Sequence, residues 1–133
     1  MIVTDQRVAR FVSERLGVSI CPPYTCMGIE RDGDIVAGVI FHCYEGPNVH
    51  ITVAGKGWTP AFMRAVGQYA YGQLGCLRMT VTTQSDAVAK LAQRVGGKVE
   101  GRMRDQFGPG ADGIIVGVLK GEYKYGKVHP TRL

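Results

Sequence analysis

The sequence predicts a single α+β (mixed α/β) domain in which helices flank a mostly antiparallel sheet that contains one central parallel pair of strands. Two observations predict this arrangement. Three apolar segments separated by tight turns form an antiparallel meander, and the next strand–loop–helix–strand unit makes its two strands parallel. The 133 residues fit one domain, which we place at residues 1–125, with a polar tail over residues 126–133.

A first helix is predicted over residues 5–16, with Thr4 as its N-cap and Gly17 as its stop. One face of this helix is apolar at helical spacing and consists of Val8, Phe11, Val12 and Leu16. A loop through Pro22 and Pro23 follows, because proline is excluded from helix interiors and from central strands.

The meander strands are predicted at residues 24–31, 35–44 and 49–53. Asp32-Gly33 is a strong signal for a hairpin turn between the first two strands, and Gly46-Pro47-Asn48 turns the chain again. The second strand is almost wholly apolar, which predicts burial on both of its faces. In the third strand, one face is expected to carry Val49, Ile51 and Val53, and the other His50 and Thr52.

The second half of the chain alternates helices and strands. Thr59 and Pro60 suit the cap and first turn of a helix that is predicted to run to Leu74, and Ser85 suits the cap of a helix that reaches about Val95. Three strands complete the sheet at residues 77–82, 99–104 and 113–119. Gly108-Pro109-Gly110 forms the tip between the last two strands.

Composition and charge exclude some classes of protein. The longest apolar run, residues 35–41, is too short to cross a membrane, and no signal peptide is evident, so we expect a cytoplasmic protein. The net charge of +5 suggests an anionic partner, but the basic residues are scattered and also suit an ordinary solvated surface. The cysteines lack metal-ligand spacing, so we expect no metal site and buried free thiols at Cys21, Cys26, Cys43 and Cys76.

The glycine-rich loop before the second helix is a candidate anion site. Gly55 and Gly57 remove side chains that would block a ligand, and the amides of Gly57, Trp58 and Thr59 precede a helix N-terminus. Lys56 adds a positive charge, so the loop suits a pyrophosphate. The loop matches neither the Walker pattern nor the dinucleotide-binding pattern, and a simple glycine turn remains the alternative.

Residues 48–119 resemble the GNAT family of N-acetyltransferases. The similar segments are Gly55-Lys56-Gly57-Trp58-Thr59-Pro60, Tyr69-Ala70-Tyr71-Gly72-Gln73-Leu74-Gly75, Leu77-Arg78-Met79-Thr80-Val81 and the run from Lys90 to Arg104. That last run is similar to the family's helix ending in K-L-G-F and its following strand. The branch it resembles is that of the ribosomal-protein N-terminal acetyltransferases and of small GNAT proteins of phages and prophages.

The resemblance implies a function and a set of binding residues. It implies acetyl-CoA as cosubstrate, lying in a gap between the two parallel strands, and an unidentified primary amine as acceptor. The strand would pair with the pantetheine arm and the loop would hold the pyrophosphate. The implied binding residues are Ile51, Thr52, Val53, Ala54, Gly55, Lys56, Gly57, Trp58, Thr59 and Ser85.

The sequence departs from the family pattern at several positions. The loop lacks the leading Arg or Gln, Ser85 replaces an asparagine that contacts CoA, and Gly97 replaces a phenylalanine. Ala92 stands where many members carry a tyrosine general acid. Because the first helix begins near Thr4, the family's usual first strand is expected to be absent.

For catalysis, the expected residues are His50 and Glu45 as candidate bases, with the Val53 amide polarising the thioester; His42 lies on the same meander. An imidazole titrates near about pH 6.5, so its pKa needs little adjustment for a base that acts near neutral pH.

Two alternatives stay open: a non-catalytic GNAT-fold protein that binds CoA or a protein partner, and a basic nucleic-acid-binding module suggested by charge alone. A homodimer is compatible with the sequence.

Overall fold

One seven-stranded sheet, in the order β1-β2-β3-β4-β5-β7-β6, is covered by three α-helices. The computed structural model describes residues 1–126. All neighbouring strands are antiparallel except β4 and β5, so the predicted fold class is confirmed. The elements are β1 (Ile2–Val3), α1 (Gln6–Leu16), β2 (Tyr24–Arg31), β3 (Asp34–His42), β4 (Asn48–Gly55), α2 (Pro60–Gly67), a π-helix (Gln68–Gln73), β5 (Arg78–Thr83), α3 (Asp86–Arg94), β6 (Lys98–Met103), β7 (Gly113–Leu119) and a short 3₁₀ helix (Lys120–Glu122).

The N-terminal residues differ from two of the predictions. A two-residue strand, β1, precedes the first helix and pairs with Gly28 and Ile29 of β2, although no strand was expected there. The N-cap of α1 is Asp5 and not Thr4, because the Asp5 backbone is extended and its carboxylate accepts the Arg7 amide at 3.0 Å. The C-terminal end follows the prediction, with Gly17 in the left-handed conformation at φ 64°.

The meander forms as predicted, with small changes at its strand ends. The β2–β3 turn places Asp32 at φ 52° and Gly33 at φ 86°. Strand β3 ends at His42 and not at residue 44, because Cys43 turns the chain with φ 48°. Strand β4 is longer than predicted at both ends, running over Asn48–Gly55.

The two faces of the sheet carry separate cores. Helix α1 packs over β2, β3 and β4 through Val8 and Val12, and it lies so close to Gly28 that a Cβ there would be 2.7 Å from Val8. Helices α2 and α3 cover the other face. On β4 the residues buried against them are Val49, Ile51 and Val53, as the alternation predicts.

The helix after the glycine-rich loop differs from the predicted continuous α-helix. It changes to a π-helix at Gln68, where the Leu74 amide donates to the Tyr69 carbonyl at 2.8 Å. Along this wider turn, Tyr69 hydrogen-bonds Thr25 of β2 and Tyr71 donates to the Val118 carbonyl of β7. The following strand begins at Arg78, which leaves Leu77 exposed outside the predicted strand.

The four cysteines are free, but only two are buried. Cys26 and Cys76 lie in the core, whereas Cys21 and Cys43 are exposed, so the predicted burial is wrong for this pair. Cys21 lies in the proline loop, and Cys43 lies in the turn that ends β3, where the chain leaves the sheet.

In the part of the chain that the structure describes, the longest α-helix is α1, with 11 residues. No helix among residues 1–126 is long and apolar enough to cross a membrane. Of the predicted polar tail over residues 126–133, only Gly126 lies within the described residues.

Candidate active site at the gap between the central strands

The parallel strands β4 and β5 pair along only part of their length. Their register runs from Asn48 opposite Arg78 to Ile51 opposite Val81, after which β4 continues to Gly55 and β5 to Thr83. The two strands therefore leave a gap beyond Ile51 and Val81. Such a gap exposes peptide groups that a sheet would otherwise use.

The peptide group of Val53 is directed into this gap. The Lys56 amide donates to the Val36 carbonyl at 3.0 Å, in line with the β3–β4 register. Because hydrogen-bonded and non-bonded pairs alternate in an antiparallel ladder, Ala54 and Thr52 bond to β3 and Val53 faces the opposite way. The Val53 amide is thus available to a ligand between the strands.

The glycine-rich loop lies at the end of β4, immediately before α2. Gly55 has φ 105° and Gly57 has φ 84°, a conformation that favours glycine, and a Cβ on Gly55 would overlap the Val36 carbonyl. Thr59 caps α2 by accepting the Phe62 amide at 3.1 Å. Within residues 1–126, the amides of Gly57, Trp58 and Thr59 make no hydrogen bond, as an anion site at a helix start requires.

Two arginines near this loop were not anticipated from the sequence. Arg31, the last residue of β2, donates from Nη2 to the Gly57 carbonyl at 2.9 Å. Arg94, in the last turn of α3, borders a cavity of about 380 Å³ together with Gly57, Trp58 and Thr59. Both lie far from the loop in sequence, so only strand pairing and helix packing bring their charges there.

The predicted loop residues have different environments. Lys56 is exposed and keeps its side-chain charge at the surface, while its amide bonds to β3. Trp58 is partly buried and packs on Phe62, with ring centroids 5.5 Å apart. Trp58 therefore anchors the loop on α2 as well as bordering the cavity with Arg94.

Cavities meet the gap from both faces of the sheet. A small apolar cavity of about 50 Å³ lies under α2 and α3, and one of about 210 Å³ lies on the α1 face. Ile51 and Val53 line both cavities. The two cavities therefore adjoin at these two residues.

The small apolar cavity lies where the family resemblance places a tyrosine. Ala92 borders it, buried in the core. Tyr123 borders it too, but its hydroxyl donates to the Met63 carbonyl at 2.6 Å, and burial raises the pKa of Tyr123. The Tyr123 proton is thus already engaged in a buried hydrogen bond.

The cavity on the α1 face is lined by both polar and apolar side chains and brings together several predicted residues. His50, Thr52 and Val53 from β4 meet Ser85, whose hydroxyl also caps α3 by accepting the Val88 amide at 3.2 Å. Residues 54–59 lie outside this cavity. The rest of its polar lining consists of His42, Thr80, Thr82, Thr83, Gln84 and Gln106.

The two predicted catalytic residues are in contact. His50 Nε2 lies 3.0 Å from Glu45 Oε1, and the same oxygen accepts Asn48 Nδ2 at 2.8 Å. The Asn48 bond, followed by the His50 bond, lowers the pKa of Glu45, so its carboxylate is ionised at neutral pH. Glu45 is absent from the cavity lining and contacts the site through His50.

His42 is the second imidazole of this cavity. Its Nε2 lies 2.8 Å from Thr52 Oγ1, and its ring centroid is 6.1 Å from that of His50. Burial, and then the charge of His50, lower the pKa of His42. His42 is therefore held in its neutral form more strongly than an exposed histidine.

No metal cluster accompanies these residues. Among residues 1–126, no three or more His, Cys, Asp or Glu side chains are arranged to hold a metal ion. A glycine-rich loop with unpaired amides is thus joined through a strand gap to a cavity that two histidines line.

The fold, a mixed sheet whose central parallel pair parts, is that of the GNAT acetyltransferases. The spermidine/spermine N-acetyltransferase SpeG from Vibrio cholerae, in mutant forms, is 12% identical with a TM-score of 0.72, covering 92% of this chain and 96% of its own. The same enzyme with manganese ions gives 13% identity and a TM-score of 0.67, with 90% and 91% covered.

A third solved structure, a probable acetyltransferase, is 21% identical with a TM-score of 0.63. The match covers 75% of this chain and 63% of that protein. At these identities the likeness is one of fold. No protein-family model matches the chain, and no curated protein is similar to it in sequence.

Proposed function

We propose that the protein is an N-acetyltransferase that transfers the acetyl group of acetyl-CoA to a primary amine. One observation carries the proposal. The β4–β5 gap connects a loop with three free amides on one side to the cavity that contains His50 on the other. An acyl donor with a long phosphate-bearing arm and a separate amine acceptor would need this two-sided arrangement.

The donor side fits the chemistry of CoA. The amides of Gly57, Trp58 and Thr59 would bind the pyrophosphate, with Arg31 and Lys56 supplying positive charge. Arg94 borders the adjoining cavity of about 380 Å³, which could take a further phosphate. The exposed carbonyl of Val53 would accept an amide of the pantetheine arm, which would lie along β4 as an added strand does.

The acceptor side supplies a base. His50 would take a proton from the attacking amine, while the Val53 amide donates to the thioester oxygen as negative charge develops there. A positioned base of this kind contributes about 10²-fold or more to the rate. Because Ala92 replaces the tyrosine and Tyr123 bonds to Met63, water would protonate the departing thiolate.

The acceptor cavity also bears on the choice of amine. The similar solved enzyme acts on spermidine and spermine. In this chain, the cavity of about 210 Å³ is lined by apolar side chains and by hydroxyl, amide and imidazole groups, without a carboxylate in its lining among the described residues. A polycation would lack ion-pair partners there, so we favour an amine that carries no further positive charge.

Other features of the proposal rest on sequence motifs alone. The relation to ribosomal-protein acetyltransferases and to phage or prophage proteins rests on the four similar segments within residues 55–104, of which residues 90–104 are the most specific. A cytoplasmic location and a homodimer remain predictions of the same kind. The single-domain boundary at residue 125 also remains a prediction.

The proposal is tested in two stages. Acetyl-CoA and CoA should each raise the melting temperature, because they bind the folded state. Purified protein is then incubated with acetyl-CoA and a panel of amines that includes peptide N-termini, lysine peptides, amino alcohols and spermidine, with free thiol as the readout. A lack of stabilisation by millimolar acetyl-CoA would refute the donor assignment.

The alternative is a GNAT-fold protein that binds CoA without catalysis, and the replacement of the tyrosine by Ala92 is the observation that favours it. It predicts stabilisation by CoA together with the absence of thiol release across the whole panel. Retention on heparin without retention on immobilised CoA would instead favour the nucleic-acid-binding alternative.

A further inference from the structure

A continuous chain of hydrogen bonds crosses the α1 face of the sheet from the candidate base to the edge strand β6. Its links lie between side chains of β4, β5, β6 and the β3–β4 turn, which are far apart in sequence. The chain runs through His50, Glu45, Asn48, Thr80, Arg78 and Glu100.

Arg78 fixes the direction of the bonds between itself and Glu45. Its guanidinium can only donate, and Nε donates to Thr80 Oγ1 at 3.2 Å. The single hydroxyl proton of Thr80 is then given to Asn48 Oδ1, at 2.7 Å. This contact orients the amide, so that Asn48 Nδ2 faces Glu45 Oε1 and donates to it at 2.8 Å.

At the His50 end, the hydrogen-bond chain determines which ring nitrogen carries the proton. Glu45 is ionised and can only accept, so the atom of His50 that faces it, Nε2 at 3.0 Å, must carry a proton. In a neutral imidazole the other nitrogen, Nδ1, then keeps the lone pair. A base needs that lone pair in a defined place.

We propose that Asn48, Thr80 and Arg78 are positioning residues that hold neutral His50 in the Nε2–H tautomer, with Nδ1 as the basic atom. The catalytic part of this inference rests on the proposed function, whereas the tautomer does not. The three residues act on His50 through Glu45, and Thr80 also lines the acceptor cavity.

Further contacts hold both ends of the hydrogen-bond chain. Arg78 forms two bonds with the Glu100 carboxylate, at 3.2 and 2.5 Å, directly over Gly117 of β7. A Cβ on Gly117 would overlap the ends of both side chains, so glycine leaves room for the pair to cross the strand here. At the other end, the Glu45 amide donates to the Asn48 carbonyl at 2.8 Å, which closes the turn.

Few other charges surround the ring of His50. His42 of β3 and Glu45 of the β3–β4 turn face the His50 ring directly. Arg78 of β5 and Glu100 of β6 are connected to the ring only through the hydrogen-bond chain. Helix α1 and the segment after it contribute only Leu16 and Ile20 to the cavity, within the described residues. The tautomer is therefore set mainly by the hydrogen-bond chain.

The test is an NMR measurement on the full chain with ¹⁵N-labelled histidine, at about pH 8, where imidazoles are neutral. Long-range ¹H–¹⁵N spectra distinguish the two tautomers, and His50→Gln assigns the signal among the three histidines. We expect wild-type His50 to be the Nε2–H form. Thr80→Val should give a mixture, because the strand shape is kept but the Asn48 amide is no longer oriented.

Thr80→Ser, which keeps the hydroxyl, is the matched control and should restore the single tautomer. With an accepted amine, Thr80→Val should lower kcat about tenfold without changing the KM for acetyl-CoA, and Thr80→Ser should recover it. A wild-type tautomer in Thr80→Val overturns the inference. A mixed tautomer without turnover of any amine, even by wild-type protein, supports the positioning chain but refutes the proposed function.

Discussion

The guanidinium of Arg31, at the end of β2, donates to the carbonyl of Gly57 across a sequence separation of 26 residues. The contact fixes a positive charge beside the three free loop amides. Arg31→Gln should raise the dissociation constant of CoA about tenfold, because a hydrogen bond to a charged group contributes roughly 1.5–3 kcal/mol. Calorimetric titration with CoA measures the effect.

The control for Arg31 is Arg10→Gln, which removes the same charge from an exposed position on α1. It should leave the affinity unchanged. Equal weakening in both variants would mean that net charge, and not the position of Arg31, governs binding.

Gly57→Glu should abolish stabilisation by acetyl-CoA. The carboxylate would repel a pyrophosphate, and a Cβ at this position would lie 2.7 Å from Arg31 Nη1. The left-handed backbone at φ 84° adds a cost of about 1–2 kcal/mol to folding. Thermal melts with and without millimolar acetyl-CoA separate the two effects.

Gly110→Glu is a suitable control for this variant, since Gly110 has φ 74° and open space around it. It should lower the melting temperature similarly and keep the full ligand-induced shift. If Gly57→Glu binds CoA normally, the phosphates lie elsewhere.

His50→Gln should lower turnover at neutral pH by about 10²-fold while changing acetyl-CoA affinity little. The rate–pH profile of the wild type should follow deprotonation on the amine side, since a dedicated tyrosine acid is absent at Ala92. His42→Gln serves as comparison, because it tests the neighbouring imidazole of the same cavity. Wild-type turnover of His50→Gln between about pH 6 and 9 would make His50 structural.

His42 should make folding stability depend on pH. Burial lowers its pKa below the ordinary value of 6.5, so the unfolded chain binds a proton that the folded chain resists. Stability from this residue is present above pH 6.5 and is lost as pH falls below it. Denaturant unfolding from pH 7.5 to 5.5 should show a smaller decline in His42→Gln than in wild type, and an identical decline would contradict this.

Ala92→Val should be tolerated, because its added methyl groups can enter the neighbouring cavity of about 50 Å³. Ala89→Val is the matched control on the same helix, since Ala89 is also buried but does not border that cavity. We expect Ala92→Val to be more stable than Ala89→Val by about 1–2 kcal/mol in denaturant unfolding. The reverse order would show that the cavity cannot be filled from this position.

The sequence by itself determined most of the secondary structure and the position of the glycine-rich loop before α2. Turns and helix starts depend on contacts within four residues, so the local sequence is sufficient to predict them. Examples are the turn at Asp32-Gly33 and the helix starts at Thr59-Pro60 and Ser85. The alternation of β4 likewise separates Val53 from His50 by the two-residue repeat of a strand. The predicted strand boundaries were wrong where a single residue, such as Cys43, turns the backbone.

Only the tertiary structure decided which distant side chains meet. The contact of Arg31 with Gly57 and the chain from Arg78 to His50 depend on the register of strands that are remote in sequence. The cavity beside Ala92 depends on how α3 packs on the sheet. Local periodicity sets which face a residue occupies, but the neighbour across that face is fixed by pairing and packing over the whole domain.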